Sequence, residues 1–251
     1  MSTSTLEWLD IGQEKSVTIH NGLDIGKWKK TGTGRVMKEE MDIPNDASIV
    51  GSVGRLTSDK RPWLFLKVAE ILISNGSEQE VSEDLENWYS QNEGVGSSKL
   101  LDWKDSTFPV ENLHFVLVGD GPQLERAKSI VENSKLLSDR VHLVGFSNRV
   151  AQYLSVMDCF LLTSKVEGLP NAIIEAQAFG IPIVSTDAGG SKECFIPGKT
   201  GLLAVDDSPM EIASNVLALF EDSNFSSNSK KAGRKFIKDK FGIRAYSNSI
   251  S

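Results

Sequence analysis

DCFLLTSKVEGLPNAIIEAQAFGIPIVSTD, residues 158–187, decides the fold. It opens on a short apolar run, DCFLLTS (158–164), and passes through a polar loop. It resumes as LPNAIIEAQAFG (169–180), with Pro near the start and Gly at the end, and closes on a second apolar run, IPIVSTD (181–187). Proline in the first turn and glycine after the last are what helix ends favour. Strand, helix and strand thus follow one another within about 30 residues, the length of a parallel βαβ unit.

Reading outward, the same alternation continues. Upstream lie ASIVGSVGRL (47–56) as a strand ending in a Gly-rich turn and RPWLFLKVAEIL (61–72) as a broadly apolar helix. LHFVLVGDG (113–121) reads as a strand, 122–131 as a helix, RVHLVGF (140–146) as a strand and NRVAQYLSVM (148–157) as a short helix. Downstream, TGLLAV (200–205) is a short strand, and 209–220 and 227–240 read as helices. The strands are near-continuous apolar runs, which marks strands buried on both faces of a parallel sheet. The expected fold is α/β, a doubly wound, Rossmann-like parallel sheet spanning about 47–240, within a domain assigned to 47–251. Residues 1–46 read as a partial N-terminal segment and interdomain linker, with one weak strand, SVTIHNGLD (16–24), and no core of their own. Residues 76–111 are polar and too long for an ordinary helix–strand connection, so they read as a surface insertion with a short helix around 84–90.

Composition narrows the functions. The 251-residue chain is 39% apolar and 24% charged, as a globular protein is, and carries a net charge of −7. An acidic chain is a poor general binder of nucleic acid. No run of 18 apolar residues occurs, and the first residues lack a basic start followed by an apolar stretch. The two cysteines and three histidines show no zinc spacing, and Cys159 lies in an apolar run, so a reducing cytosol is the expected compartment.

Ligands of open α/β sheets sit beyond the carboxyl ends of the strands. The turn GRLTSDK (54–60) holds Arg55 and Lys60, placed either to reach a phosphate pair or to cap the next helix as a solvated basic loop. Glu167 lies in a loop and Glu175 inside AIIEAQAF; a carboxylate there needs a partner, either a ribose diol or a protein cation. Gly168, Leu169, Pro170 and Asn171 lead into that helix, whose free N–H groups suit a phosphate. Gly119 belongs to a Gly-Asp-Gly-Pro turn that is generic alone. No D-x-D pair offers a metal anchor for a diphosphate. His20, His114 and His142 lie in strand-like runs and read as structural.

Taken in order, GRLTSDK, VGDGP, VHLVGF, EGLPNAIIE, GIPIVSTDAGG and GKTGLL resemble the carboxyl-terminal domain of glycosyltransferase family 4, the group 1 transferases of the GT-B fold. The resemblance covers about residues 17–245, and Glu167 and Glu175 meet its paired-glutamate spacing. It implies transfer of a sugar from a nucleotide-diphosphate sugar, with retention and no required metal or other cofactor. The acceptor implied is a glycan or lipid-linked glycan. By the resemblance, Arg55, Lys60 and Glu167 are catalytic: the cations stabilise the diphosphate and Glu167 contacts the donor sugar. Gly54, Gly119, Phe146, Gly168, Leu169, Pro170, Asn171 and Glu175 join Arg55 and Lys60 in binding the donor, with Glu175 on the ribose and the loop 146–150 beside the base. TIHNGLDIGKW (18–28) resembles the segment that joins the family's two domains. The chain is thus expected to supply the donor half, with an acceptor domain missing or on a partner chain, and to lie at the inner face of the membrane in a full-length form. A non-catalytic nucleotide-sugar-binding module is the alternative; an epimerase of the same architecture fits EGLPNAIIE less well.

Overall fold

The computed structural model describes residues 34–74, 82–93 and 108–242. The strand read at 16–24, the linker-like stretch 18–28 and much of 76–111 lie outside these. Within them, the elements run in chain order α1 (Gly34–Glu40), β1 (Ser48–Val53), α2 (Pro62–Ile73), α3 (Glu83–Glu93), β2 (Leu113–Val118), α4 (Leu124–Asn133), β3 (Val141–Gly145), α5 (Val150–Val156), β4 (Cys159–Leu162), α6 (Asn171–Ala178), β5 (Ile183–Ser185), β6 (Gly201–Leu203), α7 (Pro209–Glu221) and α8 (Ser223–Phe241). The six strands form one parallel sheet in the order β3-β2-β1-β4-β5-β6. That order reverses direction between β1 and β4, and the crevice at such a reversal is where doubly wound sheets bind ligands.

Alternation within each strand explains why both sheet faces are covered. In β2, Leu113, Phe115 and Leu117 point into one core, which α2, α3, α4 and α7 close. Val116 and Val118 point into the other, under α1, α5, α6 and α8. The same split sends Cys159 and Leu161 of β4 one way and Phe160 and Leu162 the other. Each such side chain stabilises the fold by about 1.5–3 kcal/mol when fully buried.

Three differences from the sequence reading have local causes. Residues 34–46 are not merely linker: α1 forms there, and Met37 and Ile43 are buried in the second core. The insertion is not wholly superficial either. Leu85 and Trp88, one helical turn apart, bury completely in the first core. Trp88 packs edge-on against Trp63, and Lys67 of α2 bridges Glu70 and Glu86. Finally, β1 ends before Gly54 and β2 before Gly119, because those residues leave the strands for the turns.

Candidate functional site

The turns after β1 and β2 are joined. Gly54 N donates to Val118 O at 3.0 Å, Leu56 N to Asp120 O at 2.9 Å, and Gln123 N to Leu56 O at 3.0 Å. The contact is close because Gly119 and Gly121 lack side chains. A Cβ at Gly119 would lie 1.7 Å from Gly54 O, and one at Gly121 would lie 2.6 Å from Leu56 O. This fixes the loop that carries the cations. Arg55 projects from it, exposed, and among the described residues its guanidinium has no hydrogen-bond or ion-pair partner. Lys60 ends the 3-10 turn Ser58–Lys60, and its Nζ lies 2.8 Å from Glu167 Oε1 and 3.4 Å from Asp59 Oδ2.

The turn after β4 meets this loop from the other side of the reversal. Lys165 N donates to Asp59 O at 2.7 Å, and Thr163 Oγ1 to Lys60 O at 3.0 Å. Glu167 is held from three directions. Its N–H donates to Ala188 O, its own carbonyl accepts from Gly190 N, and Ser164 Oγ donates to its Oε1 at 2.6 Å. Ser164 was not singled out in the sequence. The signal available was its spacing, a Ser three residues before a Glu, which brings hydroxyl and carboxylate within reach.

Helix α6 begins at Asn171 with Pro170 as its N-cap and no side-chain cap. Its first N–H groups are left to an outside acceptor, with the positive end of the helix dipole behind them. Glu175, one turn on, is half-buried with no side-chain partner among the described residues, and desolvation raises its pKa above the ordinary carboxylate value. The protein cation that could have paired with it is absent from that set.

Two adjoining clefts open at the sheet's carboxyl edge. The first, about 190 Å³, lies at the β1/β4 reversal and is lined by Gly54, Arg55, Lys60, Glu167, Leu169, Pro170 and Asn171 among others. The second, about 360 Å³, is lined by Val53, Gly54, Arg55, Gly119, Phe146 and Val150 among others, with Phe146 82% exposed. They share Val53, Gly54 and Arg55, so they form one trough, with a volume in the range of roughly 300–1,000 Å³ typical of ligand sites. Nine of the expected site residues thus line the trough, and Gly168 and Glu175 line neither cleft. The arrangement offers fixed cations and a free helix start at one end and an apolar shelf at the other. That suits an anion joined to a flat, partly apolar group.

The two histidines of the described residues lie away from this edge and partner each other. His114 Nδ1 and His142 Nε2 lie 3.0 Å apart in stacked rings, and burial pushes His114 down to about 4. Both cysteines are buried, and burial drives both thiols well up. Among the described residues no three His, Cys, Asp or Glu side chains gather as a metal site would need, and no helix is long and apolar enough to cross a membrane.

Comparison with known proteins gives the family and the fold. A profile described as "Glycosyl transferases group 1" matches residues 103–236, more than half of the chain. The Vi polysaccharide biosynthesis protein VipC/TviE of Salmonella typhi is 48% identical over 116 residues, 45% of this chain and 20% of that one. The UDP-Gal:alpha-D-GlcNAc-diphosphoundecaprenol alpha-1,3-galactosyltransferase of Escherichia coli is 24% identical over 230 residues, 91% of this chain and 51% of that one. Among solved structures, Anabaena Alr3699/HepE in complex with UDP and glucose superposes with a TM-score of 0.73 at 20% identity, over 99% of this chain and 59% of that one. The chain therefore spans from a fifth to about three fifths of the length of these three proteins.

Proposed function

The chain belongs to the group 1 glycosyltransferases, and from that premise we propose that it is the donor-binding half of a retaining transferase. Its relatives include a Vi polysaccharide biosynthesis protein and an alpha-1,3-galactosyltransferase. The observation that carries the reading is the trough at the β1/β4 reversal. It gathers Arg55 and Lys60 from one turn and Glu167 and the start of α6 from another. In this reading a nucleotide-diphosphate sugar lies along the trough, base toward Phe146 and diphosphate toward Arg55, Lys60 and the N–H groups of α6. Glu175 takes the ribose hydroxyls and Glu167 the sugar.

As the bond from the anomeric carbon to the diphosphate breaks, its electron pair leaves with the diphosphate. Prepositioned cations and N–H donors stabilise that charge at no reorganisation cost, which is where fixed dipoles act most strongly. No metal is assigned a part. The acceptor hydroxyl, from a glycan or lipid-linked glycan, then forms the new bond with the configuration kept, and its proton passes to the departing diphosphate oxygen. A lipid-linked acceptor follows the Escherichia coli relative, whose name carries diphosphoundecaprenol. It would place the working form in the cytoplasm, at the inner face of the membrane.

The described residues form one wall of this site. Phe146, exposed at 82% on the turn that follows β3, lines the second cleft from its open side. We assign the facing wall to an acceptor domain, in a longer form of the chain or on a partner chain. Without it the 251-residue chain should bind donor weakly and transfer little, since positioning of both reactants supplies about 7–11 kcal/mol of such a barrier.

Calorimetry with UDP, GDP and ADP and the matching nucleosides tests the site. Arg55→Ala or Lys60→Ala should weaken the diphosphate by about 1.5–3 kcal/mol and leave the nucleoside unchanged. Folded variants that bind the diphosphate as wild type does would sink the assignment.

A further inference from the structure

The side chain that fixes the distance between the site's cations and its glutamate is one the binding reading does not use. Arg61 follows Lys60 directly and is 1% exposed. It is one of two described non-glycine residues at positive φ, with φ 49° and ψ 60°. L side chains rarely hold that conformation, and the residue before a proline is further restricted. The surroundings hold it by its guanidinium. Nε donates to Thr163 O at 2.7 Å and Nη2 to Ser164 O at 3.1 Å. Nη1 lies 2.7 Å from Asp207 Oδ2 and 3.4 Å from Glu93 Oε2.

These partners lie on separate pieces of chain. Thr163 and Ser164 begin the turn that carries Glu167, Asp207 begins the approach to α7, and Glu93 is the last residue of α3. Glu93 is itself fixed, because its Oε1 accepts from Trp63 Nε1 at 3.0 Å. Thr163 completes the loop by donating its hydroxyl to Lys60 O. Lys60 and Glu167 thus reach toward each other from two turns that one buried guanidinium ties together.

We propose that Arg61 is a positioning residue: it sets Lys60 and Glu167 at the separation the donor's diphosphate and sugar require, with Glu93 of α3 as its buttress. The proposal rests on the donor-site reading above. It makes α3 part of the site's framework, although it touches no part of the trough.

The test is Arg61→Gly. Glycine keeps the left-handed backbone without strain and removes the whole side chain, guanidinium included. Arg61→Lys serves if that variant does not fold, since an ammonium cannot reproduce the planar fork. Leu137→Val is the destabilised control, because it loosens the α4–β3 connection at the opposite end of the sheet from Arg61's partners. Calorimetry reads the affinity for UDP over that for uridine. Hydrogen–deuterium exchange of peptides spanning Lys165 reads the tie between the turns without any ligand, through the Lys165 N to Asp59 O bond. We expect the UDP-over-uridine preference to fall at least about tenfold in Arg61→Gly, as for the loss of a charge-assisted contact. Millimolar guanidinium should restore it, Lys165 should exchange faster, and Leu137→Val should lower the melting temperature with the preference intact. A folded Arg61→Gly with wild-type preference overturns the proposal. Wild type binding neither UDP nor uridine instead overturns the donor-site reading; the tie then stands on Lys165 exchange alone, and unchanged exchange overturns it.

Discussion

Gly54 and Gly119 face each other across two paired turns, and they answer to different demands. A Cβ on Gly119 would collide with the Gly54 carbonyl at 1.7 Å, so the fold itself requires glycine there. A Cβ on Gly54 would meet nothing within 4 Å, and its φ lies outside the left-handed region. Neither packing nor backbone conformation explains it. Yet Gly54 lines both clefts, where a missing side chain leaves room for something that is not protein. The contrast separates glycines that serve the chain's own contacts from those that keep a surface bare.

The largest effect that would sharpen the contrast is on stability. Gly119→Ala should destabilise the protein by on the order of 4 kcal/mol, because the paired turns must move apart. Denaturant unfolding measures this, and a loss under 1 kcal/mol would mean the turns yield easily. Gly54→Ala should do the opposite. Its stability should stay within about 0.5 kcal/mol of wild type, while UDP binding weakens at least about tenfold as a methyl displaces a contact. Unchanged binding in that variant would leave the glycine unexplained.

The smallest effect carries the same contrast from space to charge. Glu167 is engaged by Ser164 and Lys60, whereas Glu175 has no side-chain partner among the described residues. Desolvation raises the folded pKa of Glu175 above the 4.5 of a free carboxyl. A raised folded pKa contributes stability below the unfolded value and loses it as pH rises. At neutral pH the empty protein therefore bears a cost that Glu175→Gln removes. The variant should melt slightly higher at pH 7, with the difference shrinking as pH falls through the raised folded pKa and gone below about 4.5. It should also discriminate less between ribose and deoxyribose nucleotides. A lower melting temperature at pH 7 would point to a partner for Glu175 in the folded chain.

Much of this was legible in the sequence, and the remainder had physical reasons to stay hidden. The strands announced themselves because burial on both faces demands unbroken apolar runs, as in LHFVLV. The turns that follow them could be located for the same reason. Helix α1 gave no such signal: in seven residues only Met37 is buried and Val36 is exposed, too little for a period. Trp88 was masked by its polar neighbours, since two apolar side chains in an eleven-residue helix look like surface. Arg61 was passed over because, read as the first residue of the helix 61–72, it lies outside the turn searched for ligand contacts. Its burial depends on carbonyls and carboxylates 32 to 146 positions away, which no local pattern displays.

Such distances also set when the trough comes into being. β1 pairs with β4 across more than a hundred residues, opened by Ile49 N on Asp158 Oδ2 with a separation of 109. Closing so long a loop costs entropy before any contact repays it, and pairings of this kind are slow. On the ribosome, β1, β2 and β3 emerge first, and at about 5–20 residues per second roughly 5–20 s pass between Val53 and Cys159. For that interval one edge of SIVGSV is bare backbone, open to a strand from any neighbouring nascent chain until β4 takes the place.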